Sequence, residues 1–191
     1  MYSLLIDTHD TKVSFVLYKD GKVLSFKDFE SNMRHSEIAM PSLIDLLTEF
    51  KVKPEDLSLI LVNIGPGSFT GVRIGVVIAK TIAYTLNIPI KAINSIEMMY
   101  YSNDKKYGIY ASKEKNGYFV ASISENSNVN DIKYYSIKEY NDSFIGKEVY
   151  SDILIDFDKI YEYSKEKDTI NPHLVNPLYI KQIEVLKWLK N

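Results

Sequence analysis

An α/β fold is predicted for this 191-residue chain by three observations. Residues 2–30 run as apolar and alternating segments. From there to about residue 93, helical and strand-like apolar patterns alternate. Between one such strand and a long apolar helix pattern lies "NIGPGSFTGVRIG", residues 63–75, with four of the chain's eight glycines: Gly65, Gly67, Gly71 and Gly75. A short apolar run that passes into helical spacing through a glycine turn marks a strand-to-helix crossover.

The elements follow in order. "YSLLIDT" reads as a buried strand ending at Asp7. "KVSFVLYKDGKVLSFKDFE" is two alternating strands joined at Asp20-Gly21, residues that tolerate the positive φ of a tight hairpin. "RHSEIAMPSLIDLLTEF" has helical spacing over residues 34–50, with Pro41 either kinking the helix or sitting in its first turn. "KPED" is a turn and "LSLILVNI" a buried strand. The helix launched by the glycine turn spans residues 70–87. It stops at Asn87 and Pro89, and "NIPIKAI" begins another short strand. The first half thus reads βββαβαβ, the element order of the ribonuclease-H-like unit that occurs twice in actin-like ATPases.

Beyond residue 100 the composition shifts. "YYSNDKKYG" reads as a linker. "YGIYASKEKNGYFVASISE" is a hairpin turning at or beside Asn116-Gly117, and "DIKYYSI" a third strand. "EVYSDILIDFDKIYEYSKEKD" offers a short strand and a helix, and "NPHLVNPLYIKQIEVLKWLKN" an extended piece and a final helix. The expected organisation is two lobes: residues 1–104 as the ribonuclease-H-like lobe, and 105–191 as a degenerate, shortened copy whose C-terminal helix packs back on the first.

Composition narrows the function classes. The absence of cysteine excludes disulfide and thiolate chemistry. A net charge of -2 with mixed signs presents no basic face for unaided nucleic-acid binding. "MYSLLIDTHD" lacks the positive start of a signal peptide. The apolar stretch 72–86 is broken by Arg73, Lys80 and two threonines, which argues against a membrane span. The expectation is a soluble, cytoplasmic protein.

Two readings of the glycine segment stay open. In one, backbone N–H groups at a helix N-terminus make an anion or nucleotide site at Gly65, Gly67, Ser68, Thr70 and Arg73. By resemblance to active members of the actin-like superfamily, Asp7 would then be a nucleotide-metal carboxylate. In the other, Gly65 and Gly67 supply unusual φ values, Gly71 and Gly75 admit close helix packing, and Asp7 bonds loop N–H groups. Neither a Walker loop nor a Rossmann fingerprint is present.

The helix after the glycines is apolar on almost every side, with Arg73, Lys80 and Asn87 on one narrow stripe. Val72, Val76, Ala79 and Ala83 form a small-residue face. The preceding helix has a broad apolar face of Met40, Leu43, Ile44, Leu46, Leu47 and Phe50. The two helices either pack on each other over the sheet or together present a subunit interface, with Met40, Leu43, Leu47, Val72, Val76, Ala79, Lys80 and Ala83 as its expected residues.

"ILVNIGPGSFTGVRIGVVIAKTIA", with "LLIDTHDTKVSFVLYKDGKV" before it and "NPLYIKQ" near the end, closely resembles the TsaB (YeaZ) family. The resemblance covers the first hundred residues well and the tail thinly. It implies a two-lobed actin-like fold and a non-catalytic subunit. That subunit would bind and stabilise a catalytic TsaD-like paralogue through its first two helices. The complex, helped by a TsaE-like ATPase, would make threonylcarbamoyl-adenosine at position 37 of tRNA. The resemblance also implies a homodimer when alone, tRNA contact only through the complex, no intrinsic cofactor, and ATP or ADP as a nucleotide for the partner interface. The alternative is a stand-alone ATP-dependent transferase or a glycoprotease-like metallopeptidase. Against the latter, the positions matching the paralogue's metal-binding histidines are Ser95 and Met99, in "AINSIEMM". Glu97 is expected to be a solvated helix residue, His9 a turn residue and His35 part of a helix cap. His173 has no ligand-like spacing with them, so no metal site and no catalytic residue is assigned.

Overall fold

A computed structural model describes residues 1–31, 34–125 and 129–180. Strands β1 (Tyr2–Asp7), β2 (Lys12–Lys19) and β3 (Lys22–Glu30) form an antiparallel meander. Its second turn uses Asp20 and Gly21, both at positive φ. Helix α1 (His35–Glu49) follows, then a short 3-10 turn at Pro54–Asp56 and β4 (Leu57–Asn63). Helix α2 (Phe69–Leu86) leads to β5 (Ile90–Ile93). The five strands lie in the order β3-β2-β1-β4-β5, with β1, β4 and β5 parallel. This is the βββαβαβ unit expected from the pattern.

Both faces of the sheet are covered, which explains why β1 reads as a continuous apolar run. Leu4, Ile6, Phe15, Leu17, Ile60 and Val62 pack against α1 and α2. Leu5, Val16, Tyr18 and Leu61 face the other way, against α3 (Ser95–Ser102) and α5 (Phe157–Ser164) through Met98, Ile160 and Tyr163. Each fully buried aliphatic side chain contributes roughly 1.5–3 kcal/mol. Helix α2 ends where the sequence predicts: Asn87 adopts the left-handed conformation and its N–H returns to the Ala83 carbonyl. Pro41 lies inside α1, beyond its first turn.

A second sheet has the order β8-β7-β6-β9. It comprises β6 (Gly108–Glu114), β7 (Gly117–Ile123), β8 (Lys133–Ser136) and β9 (Val149–Tyr150), with α4 (Ile137–Phe144) between β8 and β9. Two expectations are corrected here. The stretch "YYSNDKKYG" does not begin as a linker, because Asn94 and Glu97 form a capping box that starts α3 and carries it through Ser102. Helix α4 was not expected after "DIKYYSI"; Ser136 and Glu139 make a second capping box that turns the strand into a helix.

The C-terminal stretch returns to the first sheet. Ile170 bridges Ile90, Val175 is buried in the main core, and the Leu178 N–H donates to the Ile64 carbonyl at 2.8 Å. Residues 170–180 therefore form a strap across the first sheet and α2. The final helix expected at the C-terminus falls on residues 181–191, outside the described residues.

Candidate functional site: the glycine turn and the outer face of two helices

The turn between β1 and β2 grips the start of α2. Thr8 Oγ1 donates to the Gly71 carbonyl at 2.7 Å, and the Ser68 N–H donates to the His9 carbonyl at 2.6 Å. A Cβ on Gly67 would overlap the His9 carbonyl, and one on Gly71 the Thr8 carbonyl. A Cβ on Gly75 would meet the Thr8 hydroxyl. Gly65 has φ +89°, in the region glycine favours, and precedes a cis Pro66. Gly67 lacks a positive φ; what it supplies is space. Ser68 caps α2, its Oγ accepting from the Gly71 N–H at 3.2 Å. Three of the turn's donors, the Gly65, Ser68 and Gly71 N–H groups, are used within the protein, the first by Asn63 Oδ1 at 2.9 Å. Thr70 and Arg73 remain exposed.

Asp7, at the end of β1, is buried against His9 and Asn63. One carboxylate oxygen accepts from the His9 N–H at 3.1 Å and lies 2.7 Å from His9 Nδ1. The other accepts from Asn63 Nδ2 at 3.1 Å. Burial alone would raise the Asp7 pKa, but the charge and hydrogen bonds of His9, with the Asn63 amide, hold it below its ordinary value. Burial works against the His9 imidazolium too. The Asp7 charge and hydrogen bond, with the Asp10 charge, outweigh it and raise the His9 pKa. His35 is the first residue of α1 but does not cap it; its Nε2 donates to the Asp10 carbonyl at 2.8 Å. The loop 8–10 therefore pins both helices.

The two helices carry the apolar excess expected of them, on largely different residues. Leu43, Leu47, Val72, Val76, Ala79 and Ala83 are buried inside the chain, and Lys80 is half-buried with its Nζ donating to the His173 carbonyl at 3.1 Å. Among the residues expected at an interface, Met40 alone is an exposed apolar one. The small-residue face turns inward because it lets α2 lie close to the sheet and to α1. What faces out is Ile44 at 57% exposure, Val77 at 60%, Tyr84 at 63% and Phe69 at 43%. On α2, Phe69, Arg73, Val77 and Tyr84 fall within an arc of about 80°.

The stretch aligned with the paralogue's metal motif is part of the interior. Ser95 Oγ donates to the Pro66 carbonyl at 2.9 Å, and Met99 is buried in a cluster with Tyr110, Phe119 and Ala121 of the second sheet. Glu97 is not solvated: it is 2% exposed. One of its oxygens accepts from the Asn94 N–H at 2.8 Å; the other accepts from the Tyr163 hydroxyl and Lys167 Nζ, each at 2.8 Å. The capping box turns the carboxylate inward, where Tyr163 of α5 meets it. Among the described residues, no group of three or more His, Cys, Asp or Glu side chains could hold a metal ion.

The model of the family described as "TsaD: tRNA N6-adenosine threonylcarbamoyltransferase" matches residues 30–149, more than half of the chain. The chain belongs to the TsaD family. Curated relatives that it matches are named TsaB, in line with the resemblance carried by the "GPGSFTGVRIG" segment. It is 42% identical over 99 residues to the Bacillus subtilis "tRNA threonylcarbamoyladenosine biosynthesis protein TsaB", covering 52% of this chain and 43% of that protein. The Escherichia coli protein of the same name is 35% identical over 100 residues, covering 52% and 42%. The chain spans about half the length of the curated relatives it matches. Among solved structures, an uncharacterized Pseudomonas aeruginosa protein "with similarity to peptidase YEAZ" superposes with a TM-score of 0.72 at 16% identity, over 94% of this chain and 99% of that one. "YeaZ from Pseudomonas aeruginosa" gives 0.68 at 16% identity, over 93% and 100%. At that identity the likeness establishes the fold alone, a two-sheet α/β arrangement shared with these structures.

Proposed function

We propose that the protein is a non-catalytic subunit in the synthesis of threonylcarbamoyl-adenosine in tRNA, and that it binds and stabilises a TsaD-like catalytic paralogue. The observation that carries this reading is the exposed apolar face of α1 and α2: Met40, Ile44, Phe69, Val77 and Tyr84, grouped on two adjacent helices. Exposed apolar patches of this kind mark association surfaces. The names of the relatives support the pathway, and the TsaD family match supports the choice of partner.

In this reading the chain is a soluble, cytoplasmic protein with residues 1–104 as the docking lobe and 105–191 as its shortened companion. It forms a homodimer through the same face when the paralogue is absent. A TsaE-like ATPase and tRNA join through the complex rather than through this chain. Of the residues considered for a nucleotide at the interface, Thr70 and Arg73 are those whose side chains face outward.

Reconstitution of the tRNA modification tests the reading. The paralogue with the ATPase, threonylcarbamoyl donor and tRNA should be inactive or weakly active alone and gain activity when this chain is added. Equal activity with and without the chain would refute the subunit role. Modification by this chain without the paralogue would make it the transferase.

A further inference from the structure

We propose that Arg73, held between Phe69 of α2 and Tyr179 of the C-terminal strap, is the charged anchor of the docking face and takes a carboxylate of the partner protein. The proposal rests on the partner reading above and adds a third element to the docking surface.

The geometry around Arg73 is that of a prepared group. Its guanidinium carbon lies 3.7 Å from the centre of the Phe69 ring and 5.4 Å from that of Tyr179. The two rings are 5.4 Å apart. Arg73 Nε donates to the Tyr179 hydroxyl at 2.5 Å, across 106 residues of sequence. The side chain is thus fixed by one hydrogen bond and two aromatic faces, and among the described residues its two terminal nitrogens meet no hydrogen-bond acceptor. Among the described residues no carboxylate pairs with Arg73. The other cation of the stripe, Lys80, already donates to the His173 carbonyl.

A free arginine loses side-chain entropy when it is immobilised. Here that cost falls on folding, because the strap holds Tyr179 in place. The strap itself is fixed by the Ile170–Ile90 bridge, the buried Val175 and the Leu178 bond to Ile64. A planar guanidinium whose outer edge meets no acceptor among the described residues matches a carboxylate bidentately, and arginine is enriched among the residues that anchor interfaces. The surroundings favour protein over nucleic acid. A phosphate backbone is gripped by several cations together, whereas this one stands beside Val77 and two rings.

The test is a titration of this chain against the purified TsaD-like paralogue, with thermal melts as folding controls. Arg73→Gln and Arg73→Lys should each weaken binding by at least about tenfold, because lysine keeps the charge but not the fork. Tyr179→Phe should weaken it less. Neutralising the paralogue's exposed Asp and Glu residues one at a time should reveal one that loses its effect in the Arg73→Gln background. If wild type binds and Arg73→Lys binds equally well, or no acidic residue couples, the anchor is refuted and the partner reading stands. If wild type does not bind the paralogue, both fail. Unchanged protein binding with lost tRNA retention would assign Arg73 to RNA and refute the proposal.

Discussion

Thr8 and Gly71 are locked together across sixty-three residues: the Thr8 hydroxyl donates to the Gly71 carbonyl at 2.7 Å, and the Thr8 carbonyl occupies the space a Cβ on Gly71 would need. The contact sets how deeply α2 seats against the first sheet, and so which of its residues face solvent. With Gly67 and Gly75 pressed on the same loop, three of the four clustered glycines serve close approach and Gly65 serves backbone conformation.

Gly71→Ala is therefore expected to destabilise the protein despite alanine's better helix propensity. The propensity gain is about 1 kcal/mol, while forcing a methyl against a backbone oxygen costs about 1–3 kcal/mol and displaces the helix start. A net loss of up to about 2 kcal/mol should appear in urea denaturation. A variant as stable as wild type would show that the loop yields freely and does not set the position of α2.

Stability should depend on pH through the Asp7–His9 pair. Asp7 is held below its unfolded value, so its contribution is present above that unfolded value and lost as pH falls through the folded one. His9 is held above its unfolded value, so its contribution is present below about 6.5 and lost as pH rises through its raised folded value. Both describe one ion pair, which is intact between the two folded values. Denaturation midpoints measured from acid to mildly alkaline pH should fall at each end of that window. In His9→Gln the alkaline fall should disappear; its persistence would assign the dependence to another group.

The strands, the two crossover helices and the end of α2 at Asn87 were legible because each rests on local chemistry: apolar runs, a glycine turn, a residue that accepts positive φ. The outward face of α2 was not. Periodicity reveals which residues share a side of a helix, but when nearly every side is apolar it does not say which side meets the sheet. Small residues such as Ala79 and Ala83 suit a partner helix and a tightly packed core equally well. Ile44 was visible as part of the α1 face, whereas Phe69, Val77 and Tyr84 became distinct only once the inward side was known. The Arg73–Tyr179 contact and the inward turn of Glu97 join segments far apart in the chain, and no local pattern encodes them.

Glu97 should be among the costliest polar residues to remove. Glu97→Ala leaves the Tyr163 hydroxyl and the Asn94 N–H buried without their acceptor, and strands the Lys167 amine. Breaking a buried, hydrogen-bonded pair from one side costs about 3–5 kcal/mol. Glu97→Gln keeps an oxygen and most of the shape, and should cost about 1–2 kcal/mol. Chemical denaturation of both variants checks the order. Equal, small effects would mean that the network contributes little to holding α3 against α5.

Two substitutions two residues apart, on opposite sides of α2, separate docking from folding. Val77 is 60% exposed, so Val77→Glu should change stability by no more than about 0.5 kcal/mol. A charge at the centre of an apolar docking face must be desolvated on association, and should weaken binding to the paralogue by at least about tenfold. Ala79 has no exposed surface, so Ala79→Asp places an unpaired carboxylate in the core at a cost of more than about 3 kcal/mol and should unfold the chain rather than unseat a partner. Circular dichroism melts read the first effect and titration with the paralogue the second. A folded Val77→Glu protein that binds as tightly as wild type would exclude this stripe of α2 from the interface, whatever the behaviour of Ala79→Asp.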